Sequence, residues 1–195
     1  RRLLRVTPKS NATPFLVTVD AMRKAGLIYQ VLPLLEEARL YMPKNREILL
    51  RLGIAYTQAR MPIAAAQCFS ILAPLQPEMA YYAAAAWMQA GNLRKALLWN
   101  QQVRDVIKRT RQRGRILLSQ GHFARALVAL QQQWTQHKLA PDGRYRLAYV
   151  AIRLGRYALA QKVLASLKKT PYAASGKRLK RTLQLCRAIP WRCLD

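Results

Sequence analysis

Apolar residues recur along this chain at three- and four-residue intervals, in short runs broken by glycine or proline. Such spacing stacks them on one face of an α-helix, which carries 3.6 residues per turn. Phe15, Val19 and Met22, with Leu16 beside them, form the first face, and Gly26 ends it. Val31, Leu34, Leu35 and Ala38 form the second, up to Pro43. Pro33 is expected early in that helix, where a missing N–H costs least. Asn45 is placed as the N-cap of a third helix. Residues 79–90 read as a helix rich in alanine and aromatics, and after Gly91-Asn92 residues 93–103 make its partner around Ala96. A further helix runs from Lys108 through Gly114, turns at Gly121-His122 and returns through Phe123, Ala126, Leu127 and Leu130. The next opens at Pro141-Asp142-Gly143, turns at Gly155-Arg156 and returns through Ala160, Val163, Leu164 and Leu167 to Pro171. Residues 175–189 form the last helix, with Leu179, Leu183 and Cys186 on one side and Lys177, Lys180, Arg181, Gln184 and Arg187 on the other.

The turns keep a register. Gly26, Arg60, Gly91, Gly121 and Gly155 follow one another at 34, 31, 30 and 34 residues, and five positions after each stands Val31, Ala65, Ala96, Ala126 or Ala160. One unit, residues 45–78, carries more. It holds Leu52-Gly53, Tyr56, Ala65, Phe69 and Pro77 at the spacing L-G-x2-Y, A-x3-F and closing Pro, and so resembles a tetratricopeptide repeat, a helix–turn–helix of 34 residues. In that reading Gly53 admits the second helix, Tyr56 and Phe69 fill the space between helices, Ala65 sits at the crossing, and Pro77 stops the chain. The resemblance implies an all-α fold, an α-solenoid of four to five such units with a C-terminal capping helix. The expected layout is a basic extended lead-in at 1–14, the repeats at 15–173, and the capping helix with its cysteine-containing tail at 174–195. Two units fall short of the family length, so stacking is least regular around residues 100–110.

Charge changes the picture. The chain of 195 residues has 34 Lys and Arg against 8 Asp and Glu, a formal +26. The excess grows toward the C-terminus, with 13 basic and 5 acidic groups in residues 1–97 against 21 and 3 in residues 98–195. Such a chain attracts polyanions. No run approaches the roughly 18 uninterrupted apolar residues of a membrane span, and because the first residue is Arg, something upstream is expected, an anchor being one form of it.

Chemistry is hard to place. The carboxylates are scattered, and His122 and His137 stand far from any Cys or carboxylate at metal-ligand spacing. No Gly-rich phosphate loop, nucleophile elbow or H-E-x-x-H occurs, so no catalytic residue, metal site or cofactor is expected. Cys68 reads as a packed core residue. Cys186 and Cys193 bracket Pro190, which can bend the tail until a disulfide is reachable; a bond and two unrelated thiols are both open readings.

In tetratricopeptide arrays the first helices line the binding surface. Carried over by the family's inward positions, these are Leu50, Ile54 and Gln58; Tyr81, Ala85, Met88 and Gln89; Lys108, Arg111, Arg115 and Leu118; and Tyr145, Tyr149, Ile152 and Arg153. Arg51, Tyr82 and Arg146 border them. From the residues alone, Arg104, Lys108, Arg111 and Arg115 fall at i, i+4, i+7 and i+11, a basic stripe along one helix face. Arg offers forked contacts to carboxylates and phosphates, and Tyr offers rigid area with a polar tip. The partner-binding set is thus Arg51, Tyr81, Tyr82, Gln89, Lys108, Arg111, Arg115, Tyr145, Arg146, Tyr149 and Arg153. The function implied is a non-catalytic scaffold joining other protein subunits through an acidic or extended segment. Its style resembles bacterial envelope assemblies for pili, secretion or exopolysaccharide export, which favours the periplasm over the cytoplasm. The alternative is an anionic polymer, such as acidic polysaccharide, peptidoglycan or lipid head groups. Nucleic acid would bind only non-specifically, through phosphate contacts.

Overall fold

The computed structural model describes residues 13–189, which form eleven helices and no strand. The five in-phase turn residues all adopt the left-handed backbone: φ is 81° at Gly26, 57° at Arg60, 75° at Gly91, 71° at Gly121 and 68° at Gly155. Each closes a first helix with the same pair of hydrogen bonds. At Gly155, for example, its own N–H donates to the Ile152 carbonyl (3.0 Å) and the Arg156 N–H donates to the Ala151 carbonyl (2.7 Å). This is the Schellman arrangement, which satisfies carbonyls that the helix end would leave orphaned. Four of the five positions are glycine because a Cβ opposes that conformation; Arg60 adopts it against its side chain.

The contacts divide the chain into two compact units, residues 1–104 and 105–195. The first contains α1 (Thr13–Lys24), α2 (Ile28–Tyr41), α3 (Arg46–Gln58), α4 (Pro62–Leu72), α5 (Met79–Gln89) and α6 (Leu93–Gln101). Each helix packs on the next in sequence, and α1 also meets α3. Val31, Ala65 and Ala96, in phase after the turns, are fully buried where α2, α4 and α6 face their partners. Gly53 of α3 does what its spacing predicts: a Cβ built there would lie 2.6 Å from Phe69 Cε1. The Asn45 side chain accepts from the N–H groups of Glu47 (3.0 Å) and Ile48 (3.2 Å), capping α3.

The second unit contains α7 (Val106–Ser119), α8 (Phe123–Thr135), α9 (Pro141–Arg153), α10 (Tyr157–Ala165) and α11 (Ala173–Ala188). Here α7 pairs with α8, α8 packs on α9, α9 pairs with α10, and α11 lies against both α9 and α10. Leu179, Leu183 and Cys186 of α11 join the core built by Leu147, Val150, Val163 and Leu167, while Lys177, Lys180, Arg181, Gln184 and Arg187 are exposed. Ala126 and Ala160 are fully buried. Gly114 repeats the Gly53 device more loosely, with Leu130 Cδ2 at 3.1 Å from its notional Cβ.

Three expectations are corrected. Of the lead-in at 1–14, residues 1–12 lie outside the described residues, and Thr13 and Pro14 already belong to α1. α2 starts at Ile28, so Pro33 stands inside it and deprives the Tyr29 carbonyl of its donor. Ile152, expected on the binding surface, is buried in the core of the second unit.

Candidate partner-binding surfaces

In the first unit the expected residues divide by what they touch. Arg51 lies on α3, one helical turn after Glu47 and opposite Asp20 of α1. Its Nε donates to Asp20 Oδ2 at 3.0 Å, its Nη2 lies 2.9 Å from the same oxygen, and its Nη1 donates to Glu47 Oε2. The two carboxylates hold the guanidinium charged and raise its pKa against the opposing effect of burial, which is the largest single influence. Asp20 also pairs with Arg23 at 3.7 Å. Arg51 therefore ties α1 to α3, and its guanidinium already pairs with two carboxylates of its own unit.

Tyr81 and Tyr82 of α5 meet edge to face at 5.6 Å. Tyr82 also leans on Phe69 of α4 at 5.8 Å, yet remains 49% exposed. Gln89, two turns after Tyr81 on the same face, is exposed. Of the expected partner-binding residues in this unit, Tyr81, Tyr82 and Gln89 offer aromatic and amide groups, and Arg51 is ion-paired.

The second unit is different. Asp105 caps α7, its Oδ1 accepting the Lys108 N–H at 3.0 Å. That bond, reinforced by the charges of Lys108 and Arg111, holds the Asp105 carboxyl below its usual range. The stripe that follows carries an exposed Lys108 and the half-buried Arg111 and Arg115. No ion pair to these three occurs among the described residues, and Arg111 Nε is buried without a hydrogen-bond partner. On α9, Arg146 Nη1 bonds Asp142 Oδ2 at 2.7 Å, one turn apart, so Arg146 is neutralised much as Arg51 is. Tyr149 and Arg153 converge on Phe123 at the start of α8: the tyrosine ring lies 6.3 Å from it and the Arg153 guanidinium 5.5 Å over its face. Tyr145 packs on Tyr172 at 5.9 Å.

Other groups were not legible as pairs. Gln133 is buried, its Nε2 donating to the Ile107 carbonyl at 3.0 Å while its Oε1 has no partner. The Tyr56 hydroxyl donates to Glu36 at 2.7 Å, and burial together with that carboxylate pushes the phenol well above its ordinary pKa. Cys68 is a buried free thiol whose pKa burial raises. Cys186 is buried and disulfide-bonded, whereas Cys193, the partner in one of the two open readings, lies outside the described residues. Among the described residues no helix is long and apolar enough to cross a membrane, and no group of three His, Cys, Asp or Glu could hold a metal.

Residues 117–181 match the family model described as tetratricopeptide repeat. A search of curated proteins by sequence finds no match. Among solved structures, a thermophilic tetratricopeptide repeat protein of Thermus thermophilus is 19% identical, with a TM-score of 0.57 over 91% of this chain and 100% of that one. A tetratricopeptide repeat protein of Parabacteroides merdae is 14% identical, with a TM-score of 0.68 over 91% of this chain and 73% of its own. YrrB, described as a tetratricopeptide repeat protein with an unusual peptide-binding site, is 15% identical, with a TM-score of 0.69 over 89% of this chain and 93% of its own. At these identities the likeness is one of fold. Residues 117–181 thus match the tetratricopeptide repeat in sequence, and the described chain as a whole is similar in fold to solved tetratricopeptide repeat proteins.

Proposed function

We propose that the chain is a non-catalytic scaffold whose second unit holds an acidic, extended segment of a partner protein. One observation carries this reading. Asp105 and Asp142 are the only carboxylates among the described residues of that unit, and both are in use, Asp105 as the α7 cap and Asp142 on Arg146. Asp105 faces Lys108 and Arg111 with a single charge and no ion pair closes on the three cations among the described residues, so the stripe keeps an excess of positive charge that carboxylates of a bound segment would offset. Tyr149, Arg153 and Tyr145 offer aromatic area and a further cation on the next first helix. The repeat fold suits the role, because such arrays present extended surfaces to partners. The peptide site named for YrrB is an analogy in the same direction.

The style of the repeats points to an envelope assembly as the setting, by analogy alone. The second reading, an acidic polysaccharide, draws on Tyr149 and Tyr145 as stacking faces beside Arg153. Both readings are tested by Lys108→Glu combined with Arg115→Glu, which leaves the buried Nε of Arg111 in place. We expect the double variant to lose its partner while its helicity and melting stay those of the parent. Equal partner binding by the variant would remove the α7 stripe from the account, and selective loss of polysaccharide binding would favour the second reading.

A further inference from the structure

A separate cleft lies between α10 and α11, with a volume of about 500 Å³. That is within the range of pockets that bind small ligands or single anchoring side chains. Its floor is apolar: Leu164 and Leu167, both buried, together with the backbone at Gly176. Its rim is basic, with Lys168, Lys177 and Lys180 all exposed and without an ion-pair partner among the described residues. The first turn of α11 opens beside it with no acidic residue and no side-chain cap, which adds the positive end of the helix dipole.

Gly176 gives the cleft its depth. It sits in the body of α11, where glycine is the poorest helix former after proline. Packing does not demand it, since a Cβ there would meet Leu167 at 3.6 Å and Leu164 at 4.0 Å, ordinary contact distances. At Gly53 and Gly143 the corresponding distances are 2.6 and 2.5 Å, so those glycines are required by the neighbouring side chain. At Gly176 the missing side chain instead leaves space above Leu167.

We propose that this cleft is a second docking site, taking a short peptide segment in which a large apolar residue is flanked by Asp or Glu. Charge complementarity selects the occupant: an apolar anchor covers Leu164 and Leu167 while its acidic neighbours meet Lys168, Lys177 and Lys180. The site shares no residue with the α7 stripe, so the two proposals fail separately.

The probe is a fluorescein-labelled hexapeptide alternating Leu or Phe with Glu, measured by fluorescence anisotropy on the full chain at about 0.15 M salt. Two control peptides replace either every Glu by Lys or every apolar residue by Ser. We expect saturable binding of the first peptide only, weakened at least about tenfold by Gly176→Leu and by Lys177→Glu with Lys180→Glu. Binding should be unchanged by Lys108→Glu with Arg115→Glu. Because Gly176→Leu fills a cleft next to the core, the exposed lysine pair serves as the variant that cannot unfold it. No binding, equal binding of the Ser peptide, or indifference to both cleft variants would each overturn the proposal. Binding of decanoate without the peptide would assign the cleft to a small amphiphile and overturn it. A concentration-dependent dimer abolished by Gly176→Leu would assign it to a second copy, with the same consequence.

Discussion

Replacing Gly53 by alanine tests the packing that joins α3 to α4. The new Cβ would stand 2.6 Å from Phe69 Cε1, 2.9 Å from Cζ and 3.1 Å from Cδ1. Ordinary carbon contacts lie near 3.5–4.0 Å, so the ring must retreat by about 1 Å. It has little room to do so, being 5% exposed with the Tyr82 ring 5.8 Å behind it. Forcing a methyl into such a core costs about 1–3 kcal/mol, whereas alanine in place of glycine within a helix returns about 1 kcal/mol. A 2.6 Å approach puts the cost in the upper part of that range, about 2–3 kcal/mol, so the net expectation is a loss of about 1–2 kcal/mol, a fall in Tm of about 2–8 °C for a chain of this size. Gly114→Ala is the internal control. Its Cβ would meet Leu130 at 3.1 and 3.2 Å, a strain that a leucine relieves by shifting a few tenths of an ångström. It should be close to neutral. Gly176→Ala, which meets nothing closer than 3.6 Å, should stabilise. Denaturant titration followed by circular dichroism gives all three differences. Gly53→Ala as stable as the parent, or more stable than Gly114→Ala, would refute the close approach of α3 and α4.

Further outcomes follow from the same geometry. Arg60→Gly relieves a left-handed residue with φ of 57° and should stabilise by about 0.5–1 kcal/mol by denaturant titration, since the roughly 1–2 kcal/mol of relief exceeds the unfolded-state entropy that glycine adds. Pro33→Ala restores the donor to the Tyr29 carbonyl inside α2 and should add about 1–2 kcal/mol, seen as a higher denaturation midpoint. Asp105 has a lowered carboxyl pKa, first through the Lys108 N–H bond. A depressed folded value means that its contribution is present above the unfolded value, about 3.9, and is lost as pH falls through the folded one. Asp105→Ser, a cap that does not ionise, should therefore flatten the acid side of the stability–pH curve in melts between about pH 2 and 6.

The fold was legible because turns and packing contacts in helical repeats are local. Gly26, Gly91, Gly121 and Gly155 announce left-handed turns, and the apolar residue five positions later is buried each time. Arg60 was found only through the register of its neighbours. His137, with φ of 56°, ends α8 in the same way but belongs to no register, and no glycine marks it. The candidate site was less legible. Arg51 and Asp20 are 31 residues apart and meet only because α1 and α3 lie side by side, a matter of helix phase that a single sequence does not specify. The Asp142–Arg146 pair is i to i+4 on one helix, a spacing that pairs by itself and could have removed Arg146 from the open cations. The division after Arg104 falls where the two shortened repeats meet, which spacing marked as irregular without separating the units.

The most direct test of the scaffold is capture from the native cell's envelope and cytosolic fractions at about 0.3 M salt, where a Debye length of about 6 Å strips loosely held polyanions. The account predicts one or two stoichiometric proteins, retained by the parent chain and lost with Lys108→Glu and Arg115→Glu. Only nucleic acid or polysaccharide surviving that wash, or the same proteins on both chains, would contradict it.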